Sequence, residues 1–165
     1  MKKKLSPRLL AMARHVAAGE RIADIGSDHA YLPRYLVAGG ISPRAVLTDV
    51  RPGPLARAGA SAGMEAMPDR FDLRLGRGLE PLRNGEVETV VIAGMGGETI
   101  AAILAADPVK AASFPKYILQ PRTKAGTLRD WLSQAGWSVL ADETAEERGR
   151  ECVVLVAAPK KESGS

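Results

Sequence analysis

Five consecutive residues, Thr89-Val90-Val91-Ile92-Ala93, leave few folds open to this chain. The run is apolar without alternation and mostly β-branched, the pattern of a parallel strand covered on both faces. Parallel neighbours cannot be joined by a tight hairpin and need long crossovers, usually helical. Strand-like stretches stand at 21–25, 45–50, 71–75 and 116–120, and helical patterns intervene at 33–37, 52–64, 98–106 and 127–135. Ile100, Ile103 and Leu104 point inward in the third of these helices; Leu128, Trp131 and Leu132 share one side of the fourth. A short helix over 6–18 precedes the first strand: Leu5, Leu9, Met12 and Val16 fall on one face, and Ser6-Pro7 offers a cap and first turn. Two last strands, 137–142 and 152–158, flank a segment too short and polar for a crossover helix, so they read as an antiparallel pair. The expected architecture is α/β, Rossmann-like and doubly wound. It is a mostly parallel seven-stranded sheet with an antiparallel last strand and helices on both faces.

A chain of 165 residues is expected to be a single domain over 1–165, with a flexible tail at 160–165. The net charge of +4 permits a nucleic-acid partner without requiring one. Cys152 is the only cysteine, so an intrachain disulfide is excluded and a reducing cytoplasm fits. One cysteine and two distant histidines, His15 and His29, argue against a metal site. Leu5 onwards is not a continuous apolar run, so neither a signal peptide nor a membrane span is expected. A monomer or weak dimer is expected.

In open parallel sheets ligands bind beyond the carboxyl ends of the strands. After the first strand comes Asp24-Ile25-Gly26-Ser27-Asp28-His29, which is neither G-x-G-x-x-G nor a phosphate loop. It has one glycine, and its acids would repel a diphosphate. A nucleoside bearing an ammonium group and no phosphate suits it, as S-adenosyl-L-methionine does, with Asp24 near the ammonium and Gly26 allowing close backbone approach. Asp49, followed by Val50, closes the second strand and is placed to accept hydrogen bonds from a ribose diol. Gly76-Arg77-Gly78 follows the third strand. Ala93-Gly94-Met95-Gly96-Gly97 ends the fourth and leaves little side chain in the way of a flat base or a transferring methyl. Gln120-Pro121-Arg122 ends the fifth.

These residues resemble a known family. DIGSDHAYLP, the later IAGMGGETI, and LQP followed by LRDWLSQAGW are similar to the bacterial tRNA N1-adenine methyltransferases that modify adenine 22, over about 6–156. The resemblance implies a class I methyltransferase fold, S-adenosyl-L-methionine as cofactor and tRNA as partner. It implies cofactor contacts at Asp24, Gly26, Ser27, His29, Asp49 and the Gly94-Met95-Gly96 turn, beside Asp28, Val50, Gly76, Arg77, Gly78 and Ala93 from the strand-end reading. The chain departs from the family in three places. Gly76-Arg77-Gly78 replaces Gly-Asp-Gly or Gly-Asn-Gly, and arginine cannot accept a hydrogen bond from an adenine edge, so backbone groups would have to do so. Arg122 replaces asparagine after Gln-Pro, and the usual C-terminal helical extension is not expected in this chain.

Adenine N1 carries a lone pair at neutral pH, so no general base is required and catalysis reduces to alignment. Gly94, Met95, Gly96, Gln120 and Pro121 are the expected target-positioning residues. N1 lies on the pairing edge, so the target must be unpaired or flipped out. Arg51, Arg122, Lys124 and Arg129 are the expected RNA contacts, with Arg77 nearby and Lys2 to Lys4 as a basic arm. Two other readings stay open: a methyltransferase for another substrate, and a cofactor- or RNA-binding domain with impaired catalysis. A nicotinamide dehydrogenase is disfavoured because the dinucleotide fingerprint is absent.

Overall fold

A computed structural model of the protein describes residues 5–26, 30–60 and 62–161. Along the chain run α1 (Pro7–Ala13), β1 (Ile22–Ile25), α2 (Tyr31–Ala38), β2 (Ala45–Asp49), α3 (Pro52–Gly59), α4 (Ala62–Glu65) and a 3-10 turn. There follow β3 (Phe71–Leu75), β4 (Thr89–Gly96), α5 (Gly97–Ala106), α6 (Pro108–Ala112), β5 (Lys116–Thr123), α7 (Ala125–Gln134), β6 (Ser138–Glu147) and β7 (Arg150–Ala158). The seven strands make one sheet in the order β3-β2-β1-β4-β5-β7-β6. All neighbours among β1 to β5 are parallel, and β7 is antiparallel to both β5 and β6. One strand is therefore reversed, as expected.

The apolar run on β4 sits where its pattern requires. Val90 and Ile92 enter a core with Ile100 and Leu104 of α5 and Leu128 and Leu132 of α7. Val91, pointing the other way, joins Met12 of α1, Leu36 of α2 and Ala58 of α3. Full burial of each such Val or Ile contributes roughly 1.5–3 kcal/mol, so both faces of the strand are committed. Because β1 to β5 all run parallel, their carboxyl ends lie along one edge of the sheet.

Several boundaries differ from expectation. α1 stops at Ala13, not 18: Ser6 Oγ accepts the Leu9 amide at 3.3 Å, but after Arg14 the chain tightens into three-residue turns. The His15 amide donates to the Met12 carbonyl and the Val16 amide to that of Ala13, each at 3.1 Å, which still carries Val16 into the core. The helix expected over 33–37 begins two residues earlier, at Tyr31. The helix expected over 52–64 breaks after Gly59 and resumes at Ala62. α6 was not expected, although Asp107-Pro108 signals it: Asp107 Oδ1 accepts the Lys110 amide at 3.1 Å and Pro108 opens the helix.

The largest difference is at 143–150, expected as a connecting segment. It extends both last strands into a long hairpin that turns at Arg148 and Gly149, with φ of 52° and 76°. Two positive φ values in a two-residue loop match the right-handed twist of the strands. β5 pairs with β7 only from Tyr117 to Leu119. Beyond that the sheet forks: β5 follows β4, while the hairpin leans on α1, with Ala141 and Ala145 against that helix's core.

Candidate active site at the carboxyl ends of the strands

A cleft of about 680 Å³ opens at this edge, walled by the ends of β1 to β4 and by one side of α5. Of the expected cofactor residues, Gly26, Asp49, Val50, Gly76, Arg77, Gly78, Ala93 and Gly94 line it, as do Met95 and Arg51. Ile103, expected inward, turns out to be half-buried in the cleft wall, beside Ala102 and Ala106. These supply a largely apolar floor. Asp24 is partly buried but does not line the cleft. Ile25 faces it, and the alternation of a strand puts Asp24 on the other face, the side of Ile22 and α1. Ser27, Asp28, His29 and the Lys2 to Lys4 arm lie outside the described residues.

Two glycines shape the walls and a third fixes the strand ends behind them. Gly26 has φ +75°, its amide donates to the Thr48 carbonyl at 2.9 Å, and a Cβ there would stand 2.5 Å from Met95 Cε. Gly94 has φ +76° and no heavy atom within 4 Å of its Cβ position, so open space faces the chain at that turn. Gly97 packs so closely on the Lys124 carbonyl that a Cβ would collide with it, which ties the ends of β4 and β5 together.

Two polar groups stand out on β2. Asp49 is 5% exposed; its Oδ1 accepts the Arg51 amide at 2.9 Å and lies 3.5 Å from Arg51 Nε. Oδ2 receives no hydrogen bond among the described residues. Thr48, which also lines the cleft, has a buried Oγ1 with no hydrogen-bond partner among the described residues. Sequence reasoning missed Thr48, since a threonine inside a strand carries no signal of its own. A buried hydroxyl without a partner costs about 1–3 kcal/mol.

Gly96, Gln120 and Pro121 do not line this cleft. Gln120 is 4% exposed and pairs in register with Ala93, a cleft residue. Its amide oxygen accepts Arg8 Nη1 from α1 at 3.1 Å, and its Nε2 donates to the Pro121 carbonyl at 3.2 Å. Arg8 Nε in turn donates to Glu147 Oε2 at 3.3 Å, near the hairpin turn. The Ser6 hydroxyl, outweighing partial burial and joined by the Arg8 amide and guanidinium, holds the Glu147 carboxyl below its ordinary range. Arg8 and Glu147 were not foreseen.

The expected RNA contacts divide into two groups. Arg129 forms a forked pair with Asp142 at 2.7 and 2.9 Å, Lys124 meets Glu98 at 3.1 Å, and Arg51 is beside Asp49. Arg122 is exposed and holds no ion pair among the described residues. Among those residues no group of three or more His, Cys, Asp or Glu is placed to hold a metal, and no helix is long and apolar enough to cross a membrane.

Sheet order, the reversed β7 and the position of the cleft define a methyltransferase domain, and the pattern of the family described as "Methyltransferase domain" matches residues 5–155. The tRNA (adenine(22)-N(1))-methyltransferase of Bacillus subtilis is 38% identical over 154 residues, 93% of this chain and 65% of its own length. The crystal structure of the Bacillus subtilis m1A22 tRNA methyltransferase superposes with a TM-score of 0.88 at 36% identity, over 96% of this chain and 68% of that one. A putative tRNA (m1A22) methyltransferase of Streptococcus pneumoniae, solved in complex with S-adenosyl-L-methionine, gives 0.89 at 34% identity, over 98% and 76%. The chain belongs to the bacterial tRNA (adenine-22-N1)-methyltransferase family.

Proposed function

We propose that this chain transfers the methyl group of S-adenosyl-L-methionine to N1 of adenine 22 in tRNA, working as one cofactor-binding unit in the cytoplasm. The observation that carries the reading is Asp49: a nearly buried acid at the end of β2 with one carboxylate oxygen uncommitted among the described residues, in a largely apolar cleft. Such an acid accepts hydrogen bonds from vicinal ribose hydroxyls and repels a phosphate. The relatives support the choice of cofactor and substrate. The chain spans 65% of the length of the curated Bacillus subtilis relative, so the activity of the whole relative is an inference for this chain.

The residues present fit the cofactor. Asp49 Oδ2 would take the ribose, and Ile103 with its α5 neighbours would cover an apolar ring face. Arg77 cannot accept from an adenine amino group, which leaves that task to backbone carbonyls of the turn. Asp24, two residues before the turn at Gly26, supplies negative potential that favours an ammonium. S-adenosyl-L-methionine supplies an already activated methyl group on its sulfonium. The protein's own share is orientation, worth as much as ~7–11 kcal/mol when reacting atoms are held at near-attack distance. Positive charge developing on the base is met by carbonyls of the Gly94-Met95-Gly96 turn, and no side chain has to accept a proton.

Incubation with total tRNA and methyl-labelled cofactor, followed by mapping of the modified base, tests the reading. Label at N1 of adenine 22 is expected. Binding of the cofactor without label in any tRNA would overturn the substrate assignment, and binding of NAD in its place would overturn the class of reaction.

A further inference from the structure

We infer that Arg8, held by Glu147, is a positioning residue that fixes the Gln120 amide in one orientation and presents a single N–H from β5 to the target nucleotide. The inference rests on the methyltransferase reading and adds to it a residue outside the cleft.

The chemistry of its partners settles which way the amide points. A guanidinium only donates, so the atom facing Arg8 Nη1 at 3.1 Å is the amide oxygen. A carbonyl only accepts, so the atom facing the Pro121 oxygen at 3.2 Å is Nε2. Both neighbours demand the same orientation. One amide N–H and one lone pair of Oε1 then stay unused on a side chain that is 4% exposed. Burying a half-used amide is costly unless something later meets it.

Position gives the spare N–H its use. Gln120 is the first residue of β5 past the last β5–β7 pair, Leu119 with Leu155, so it stands at the mouth of the fork. Across from it, Ala93 lines the cleft immediately before the Gly94 turn. Arg8 bridges the fork, reaching Gln120 with Nη1 while its Nε and its backbone amide reach the two oxygens of Glu147 at 3.3 and 3.4 Å. α1, β5 and the hairpin therefore meet in one guanidinium. An N–H aimed from this point suits an acceptor on the base, a ring nitrogen other than the attacking N1, and steers the base without competing for the methyl. Lysine in place of Arg8 keeps the charge but lacks the planar fork needed to hold both partners.

Three variants separate positioning from mere support of the fold. Gln120→Glu keeps an acceptor for Arg8 and deletes the N–H. Arg8→Lys keeps the charge and loses the bridge. Glu147→Gln keeps an acceptor for Arg8. Steady-state methylation of tRNA, cofactor affinity by calorimetry and thermal melting are measured on each full chain. Expected are a fall in kcat of about 10- to 100-fold for Gln120→Glu and Arg8→Lys with cofactor affinity unchanged, and a smaller fall for Glu147→Gln, which keeps an acceptor but loses the charge that holds Arg8. Wild-type turnover with both kcat values within twofold of normal would overturn the positioning role. A fall in kcat matched by lost cofactor affinity and a lowered Tm would also overturn it, in favour of a structural one. Failure of the wild-type chain itself to methylate tRNA would remove the functional reading, and this inference with it.

Discussion

Met95 Cε fills the place where a side chain on Gly26 would begin: a Cβ there would approach it to 2.5 Å. The turn after β1 and the turn after β4 are thus fitted to each other across the cleft, one contributing a bare backbone and the other a flexible thioether.

Gly26→Ala therefore meets two penalties, a positive φ of 75° and the collision with Met95. The conformational part alone costs roughly 1–2 kcal/mol. The thioether yields by moving within the cleft wall, so cofactor affinity by calorimetry is expected to fall together with Tm. Adding Met95→Ala removes the collision and leaves the strain; the double variant should recover part of the affinity. Purely additive losses would show that the two turns are not coupled.

Asp49→Asn keeps an acceptor for the Arg51 amide while removing the charge. Loss of a charge-assisted hydrogen bond to ribose is worth about 1.5–3 kcal/mol, so the cofactor Kd should rise by about 10- to 150-fold with little change in Tm. An unchanged Kd would place the ribose elsewhere.

Arg122 and Arg129 should behave differently on RNA. Arg122 is exposed with no ion pair among the described residues, whereas Arg129 is already forked onto Asp142. Arg122→Ala should weaken tRNA binding and lower the slope of log K against log salt by about 1, the mark of one phosphate contact. Arg129→Ala should leave that slope almost unaltered. Binding titrations at several salt concentrations give both values.

Arg74 joins β3 to the loop that leads into β4, bonding Asp72 Oδ2 at 2.8 Å, the Pro81 carbonyl at 2.9 Å and Glu86. Burial opposes ionisation of Glu86, but its bonds to Arg74 and to the Arg83 amide prevail and its pKa lies below the ordinary 4.5. A depressed carboxylate stabilises the fold above its unfolded pKa, and that contribution is lost as pH falls through the folded value. Wild-type Tm should therefore drop below about pH 4.5, and Glu86→Gln should flatten that drop while costing about 1–3 kcal/mol at neutral pH. An equal acid slope in the variant would assign the transition to other carboxylates.

What the sequence revealed and what it hid follow from range. β3 and the core of β4 are local patterns, and both were readable from alternation and from an unbroken β-branched run. The glycine turns and Asp49 were readable because strand ends are the only places where an open parallel sheet binds ligands. The 143–150 segment misled because its outward residues are charged; one edge of a hairpin in water shows no apolar pattern. Arg129 and Lys124 looked available only because Asp142 and Glu98, 13 and 26 positions away, cannot be recognised as partners in one dimension. Arg8 and Gln120 are 112 positions apart, and no spacing rule joins them.

That separation sets an order of assembly during synthesis. The ligand-facing turns from Gly26 to Met95 leave the ribosome well before Glu147 does, so a nascent chain can shape a nucleoside pocket while the Arg8 bridge still lacks its second anchor. Contacts between distant positions form late, because loop closure is costly before they are made. A ribosome-stalled chain with residue 130 at the exit would be expected to hold Arg8 through Gln120 alone, without its Glu147 anchor.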